Sequence, residues 1–315
     1  MKISVITSLY NCSNYLKGYL ESVALISNIE EVEVLLLHNA PTTIEMDILN
    51  SELPAMHQNV KHIVIPEREG LYKTWNRGIE MATGEYIAVW NVDDVRTPDS
   101  LKQQAEMLDN NIQVALVYGE YIGVRTYGER QGVHYKLPEF DSWKFSRSCF
   151  LSPFPMWRKS VHQTIGYFDE QFRSAGDYDF QLRVVRNWKF AKAPEVCGYY
   201  LEAPETGISK TGDINNIERT VCELRFGIFD KVNMLYIKPA LKYHLTELIK
   251  DGNREDLSER FEGLNLFLLK RLPLLPLMLL RLPINVARFF KHKVLPQIVR
   301  YINYNSKKER IIPSL

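Results

Sequence analysis

Apolar runs of strand length alternate with stretches of helical spacing from the start of the chain, and that alternation leaves few folds open to it. Ile3 to Leu9 forms the first run. Ser13 then stands where a helix cap belongs, and Leu16, Tyr19, Leu20, Val23 and Ile26 follow helical spacing. Val32 to Leu37 is a second run, ending at His38-Asn39-Ala40-Pro41, and Ile63 to Ile65 is a third, ending at Pro66. Gly70 to Ala82 carries Leu71, Trp75, Ile79 and Ala82 on one helical side, the pattern of buried core. Ile87 to Trp90 is the fourth run, and Thr97-Pro98-Asp99 has the composition of a helix start. Such alternation with short connections is the pattern of an α/β, doubly wound, mostly parallel sheet, whose ligands bind at the carboxyl ends of the strands.

The fourth run stops at Asn91, and two adjacent carboxylates follow, Asp93 and Asp94. Acids presented at the end of a strand, with few cations beside them in sequence, suit a hard divalent cation that carries phosphates. A solvated acidic turn that caps a helix is the plainer alternative. Asp94, next to the expected helix start, fits that plainer role.

Charge is near balance, 39 basic residues against 38 acidic, so no general affinity for nucleic acid follows. The balance is uneven along the chain. From Leu264 onward ten Lys and Arg face the single acid Glu309, a net +9, which leaves −8 on the remainder. Residues 264–300 are basic and apolar but broken by Pro273, Pro276 and Pro283, so one straight spanning helix is disfavoured. In-plane attachment to an anionic membrane surface is the favoured reading of this stretch. A helical hairpin or a dimer interface is the alternative. Cys12, Cys149, Cys197 and Cys222 are scattered without a C-x-x-C pair, which fits a reducing cytoplasm rather than a disulfide framework. No signal-peptide pattern opens the chain. The expected location is cytoplasmic, peripheral on the inner face of the membrane.

Four stretches, in order, resemble an inverting glycosyltransferase of family 2, a nucleotide-sugar-dependent enzyme with the GT-A fold. Ser4-Val5-Ile6-Thr7-Ser8-Leu9-Tyr10-Asn11 resembles that family's first strand and nucleotide loop. Gly70 to Ile79 resembles its donor-side helix, and Ala82 to Asp94 the strand that ends in its D-x-D motif. Gly166 to Glu170 and Gly176 to Arg183 resemble the acceptor-side segment that holds the general base. The resemblance implies a catalytic domain over 1–235; after about Asp230 the alternation of strands gives way to helical patterns, so a helical, basic and apolar region is expected over 236–315.

The resemblance also implies roles. Asp93 matches the metal position, for Mn²⁺ or Mg²⁺, and Asp177 the general base. Asn91 stands at the first acidic position, so the motif reads N-x-D, and an amide there brings no charge to a metal. Thr7, Tyr10, Asn11, Asn39, Lys73, Asn76 and Asn91 fall at donor-binding positions, with Asn39 where an aspartate is common. Gly176 replaces an acid that often precedes the base. Asp169-Glu170 matches a stretch that shapes the acceptor pocket or serves structure, and Asp179 reads as a helix cap. Ser152 to Ser160 corresponds to a region across the active site from the metal, and the stretch from Gly198-Tyr199-Tyr200 to Gly207-Ile208-Ser209 to a closing loop, here without histidine. The implied partners are a nucleotide-sugar donor and a glycan or lipid-linked acceptor, in surface polysaccharide or lipopolysaccharide synthesis. A catalytically silent binding scaffold is the alternative, given Asn39 and Asn91. Retention of both Asp93 and Asp177 argues against it.

Overall fold

A computed structural model describes residues 1–202, 213–228 and 230–257. In chain order the strands are β1 Ile3–Leu9, β2 Val32–Asn39, β3 Val60–Ile65, β4 Tyr86–Val89, β5 Val95–Arg96, β6 Val114–Tyr118, β7 Tyr121–Val124, β8 Val133–Tyr135, β9 Met156–Arg158, β10 Lys189–Lys192, β11 Gly198–Leu201, β12 Glu247–Lys250 and β13 Asn253–Asp256. The helices are α1 Ser13–Ala24, α2 Thr43–Glu52, α3 Leu71–Met81, α4 Ser100–Asp109, α5 Ser142–Phe145, α6 Val161–Ile165, α7 Gly176–Val184, α8 Asp213–Arg225 and α9 Ile237–Ala240.

Seven strands form the main sheet in the order β10-β6-β9-β4-β1-β2-β3, parallel except for β9. Every residue of β2 is buried, as expected of a strand covered on both faces. Ile6, Leu35 and Leu37 face one layer with Trp75 and Ile79 of α3. Ile3, Val5, Val34 and Leu36 face the other, with Leu16 and Tyr19 of α1. The α3 helix lies so close that a Cβ on Gly78 would sit 2.7 Å from Ile6 Cγ2. Strand order reverses where β1 lies between β2 and β4. That reversal opens a crevice at the carboxyl ends of β1 and β4.

A second sheet, β5-β11-β7-β8, flanks that crevice. The doubly wound, mostly parallel α/β architecture read from the sequence is therefore present. Several local expectations change. Cys12, not Ser13, occupies the α1 cap position, without a side-chain bond. Helix α4 starts at Ser100, because the Thr97 hydroxyl donates to the carbonyls of Val196 and Cys197 instead of capping. Met156–Arg158, within a stretch expected beside the acceptor, is an interior strand pairing β4 and β6.

Helix α2 went unread, although Thr42 and Glu45 form a full capping box. Beyond Asp230, where helical patterns were expected to take over, α9 is followed by the β12–β13 hairpin. Its two-residue turn is Asp251-Gly252, both with positive φ, the geometry of a type I′ turn. Leu245, Leu248 and Leu257 join the same core as α3 and α7, so packing continues across residue 235. Residues 264–300 and Gly207–Ser209 lie outside the described residues. Among the described residues no helix is long and apolar enough to cross a membrane.

Candidate active site

The crevice is a cleft of about 550 Å³. Its walls are built where strands give way to turns. After β1 the backbone passes through the left-handed region at Asn11, a conformation Asn tolerates, and after β2 it does so at Ala40. The turn at Asn11 is anchored: the Cys12 N–H donates to Glu45 Oε1 at 2.6 Å, and Glu45 also closes the α2 capping box. Tyr10, exposed at the rim, carries the Arg68 guanidinium over its ring at 4.1 Å.

After β4, Asn91–Asp94 closes as a turn, with the Asp94 N–H donating to the Asn91 carbonyl at 3.1 Å. Trp90 Nε1 donates to the Asp94 carbonyl, and the buried Asp94 carboxylate accepts from Leu201 N of β11 and from Asn91 Nδ2. Asp94 thus ties the turn to the second sheet, which corrects its reading as a helix-dipole partner. Burial and the adjacent Asp93 push its carboxyl well above the usual range. Asp93 is left facing the cleft. Burial raises its pKa too, and no Lys, Arg or His pairs with it among the described residues.

That arrangement bears on a divalent cation. Among the described residues no three acidic, His or Cys side chains gather as a metal site. Asp93 offers one carboxylate, unpaired among the described residues, at the edge of the cleft. Mg²⁺-type ions are commonly held by one or two carboxylates plus substrate phosphates, and the donor set fits that mode.

Asp177 enters from the other layer, in the first turn of α7. The loop before it is held by Glu218 of α8, whose carboxylate accepts from the N–H groups of Arg173, Ser174 and Ala175 at 2.7–2.9 Å. Tyr72 of α3 packs so closely that a Cβ on Gly176 would stand 2.6 Å from its ring. The missing acid before Asp177 therefore has a steric reason. The Asp177 carboxylate accepts from the Tyr178 N–H, yet burial pushes its pKa up to about 6.

Tyr10, Asn11, Asn91, Asp93 and Asp177 line this one cleft together. The other expected donor residues do not line it. Thr7 is wholly buried, its hydroxyl 2.5 Å from that of Tyr19. Asn39 is buried, donating to Thr74 Oγ1 and accepting from the Glu69 N–H. Lys73 lies 3.8 Å from Glu69 and from Asp251. Asn76 bridges the backbone of Phe168 on both its donor and acceptor sides and bonds Glu170. Trp75, read as core, is mostly buried yet lines the cleft, and its Nε1 has no partner among the described residues. Residues missed from sequence are Tyr15, Arg68, Tyr72, Arg173, Ser174 and Asn215, all lining the cleft, while Tyr200, within the stretch matched to a closing loop, lines it from β11. The missed residues come from loops and helices far apart in the chain, and no local spacing marks them.

The model of "Glycosyl transferase family 2" matches residues 4–166. This chain belongs to that family. It is 26% identical over 212 residues to a hyaluronan synthase of Pasteurella multocida, covering 67% of this chain and 21% of that protein. The chain spans about a fifth of the length of that synthase and of the P. multocida chondroitin synthase. A Mycobacterium tuberculosis PGL/p-HBAD biosynthesis glycosyltransferase is 27% identical over 218 residues, 68% of this chain and 78% of the relative. Among solved structures, S. aureus TarS 1-349 in complex with UDP-GlcNAc superposes with a TM-score of 0.59 at 21% identity, covering 76% of this chain and 69% of that one. The mannosyltransferase PcManGT from Pyrobaculum calidifontis, in complex with GDP-Man and Mn²⁺, gives 0.53 at 16% identity, covering 76% and 68%. The fold of this chain is of that GT-A type.

Proposed function

We propose that this glycosyltransferase moves a sugar from a nucleotide-sugar donor to a hydroxyl of a glycan acceptor, with inversion at the anomeric carbon, in the synthesis of a surface polysaccharide. One observation carries the reading: Asp93 and Asp177, from opposite layers of the fold, line a single cleft large enough for a sugar nucleotide. Tyr10 and Asn11 hold the nucleotide end. A divalent cation bound at Asp93 supplies Lewis-acid assistance to the departing diphosphate. The Asp177 carboxylate takes the proton of the acceptor hydroxyl while its oxygen bonds to the anomeric carbon. The bond from that carbon to phosphate breaks, and its electron pair leaves with the nucleoside diphosphate. The names of the relatives, synthases of hyaluronan and chondroitin, support a polysaccharide product.

A thermal-shift panel of UDP and GDP, each with and without Mn²⁺, tests the reading. One of them is expected to raise the melting temperature, and more so with Mn²⁺, because a ligand that binds only the folded state stabilises it by about 2.7 kcal/mol at a hundredfold excess over Kd. No response to either, with or without metal, would sink the proposal.

The pH profile carries a second signature. Asp177 must be ionised to accept a proton, and its pKa is raised to about 6. The kcat/KM for transfer is therefore expected to fall tenfold per unit as pH drops below about 6 and to level off above it. A carboxylate in the ordinary range would leave the profile flat down to about pH 5.

A further inference from the structure

We propose that a side chamber joined to the catalytic cleft is an acceptor subsite for an anionic sugar unit, a uronate or a phosphate-bearing residue. This rests on the transferase reading above. The chamber, about 400 Å³, shares Arg68, Leu71 and Arg173 with the cleft and continues past them to Phe172, Ile214 and Glu69, whose carboxylate is paired with Arg77. The cations around it are largely committed. Arg77 and Lys73 answer Glu69, Lys73 and Lys250 answer Asp251, and Arg225 is buried against Asp169 and Asp179. Arg68 and Arg173 differ. Both are exposed, both line the two spaces, and neither has a carboxylate partner among the described residues.

Position assigns Arg173 to the acceptor, with Arg68, stacked over the Tyr10 ring, at the junction between chamber and cleft. Arg173 sits on the loop that Glu218 holds in front of Asp177, so its guanidinium belongs to the side where the incoming hydroxyl is deprotonated. The donor's diphosphate is expected at the Asp93 end. Leu71, Phe172 and Ile214 add an apolar wall of the kind that packs against a sugar's C–H face, and two guanidiniums supply the forked donors that recognise carboxylate or phosphate.

Calorimetric titration of the full chain with three probes tests this: a glucuronate-bearing hexasaccharide, a polyol-phosphate hexamer, and neutral maltohexaose. One anionic probe is expected to bind about 10-fold more tightly than maltohexaose, and which one does so separates carboxylate from phosphate recognition. The preference should shrink in 0.5 M salt, where the Debye length is about 4 Å against about 30 Å at 0.01 M. R173Q is expected to bring the anionic probe down to the maltohexaose value, and R173K to keep part of the gap. Equal affinity for all three probes overturns the inference. So does an R173Q variant that loses affinity only for the nucleoside diphosphate, which would make Arg173 a donor contact. If the wild-type chain binds neither UDP nor GDP, the transferase reading itself has failed, whatever the glycans do.

Discussion

Asp177→Asn is expected to cut the rate of transfer by at least about 10²-fold while the donor still binds. The amide keeps the shape of the carboxylate and can still accept from the Tyr178 N–H at 2.8 Å, so the α7 terminus has no reason to move. What it loses is basicity. The position favours a base whose pKa lies close to the working pH: burial lifts Asp177 to about 6, while the Tyr178 amide and Arg219 limit the rise. The check is steady-state transfer by wild type and variant with the donor fixed by the nucleotide panel. A variant within threefold of wild type would remove Asp177 from the proton-transfer step.

Arg225→Met is expected to cost about 3–5 kcal/mol of stability, the range for removing one partner of a buried ion pair. Arg225 is fully buried. Its guanidinium donates to Asp179 at 2.6 Å and Asp169 at 2.9 Å, and to the carbonyls of Leu245, His244 and Glu247. Methionine fills similar volume but leaves Asp169 facing no cation and Asp179 with Arg183 alone. Burial drives the Asp179 pKa up, and Arg225 with Arg183 outweighs it, so the carboxyl sits below its ordinary range. Thermal unfolding should register a melting temperature lower by on the order of 10 °C. A loss under about 1 kcal/mol would mean that this network does not hold α7, α8 and the β12 segment together.

These two residues mark what the sequence made legible and what it did not. Asp177 was marked by the resemblance of Gly176 to Arg183 to the family's general-base segment, whereas Asp93 sits in a continuous local pattern, a strand run ending in N-x-D, and that pattern drew attention to it. The parallel strands were legible for the same reason, since a strand buried on both faces must be apolar throughout. Arg225 and Glu218 were not. The two aspartates that Arg225 pairs with and the 173–175 loop that Glu218 holds lie 43 to 56 residues away, and nothing in local spacing encodes a pairing of that kind. Asp179, read as a cap, is instead an ion-pair partner inside that network. Asn76, within α3, and Asn39, at the end of β2, were expected as donor contacts because the resemblance puts them at donor-binding positions. In the fold their amides satisfy buried backbone and hydroxyl groups, which a polar side chain in a protein interior must do. The β9 strand escaped notice because three residues after a proline carry too short a pattern to register.

The division of labour between Asp93 and Asp177 is tested most directly by calorimetric titration of the nucleoside diphosphate, with and without Mn²⁺, into wild type, Asp93→Asn and Asp177→Asn. The account predicts that Mn²⁺ strengthens binding in wild type and in Asp177→Asn, and that the metal-dependent gain disappears in Asp93→Asn. A full Mn²⁺ response in Asp93→Asn, or its loss in Asp177→Asn alone, would contradict it.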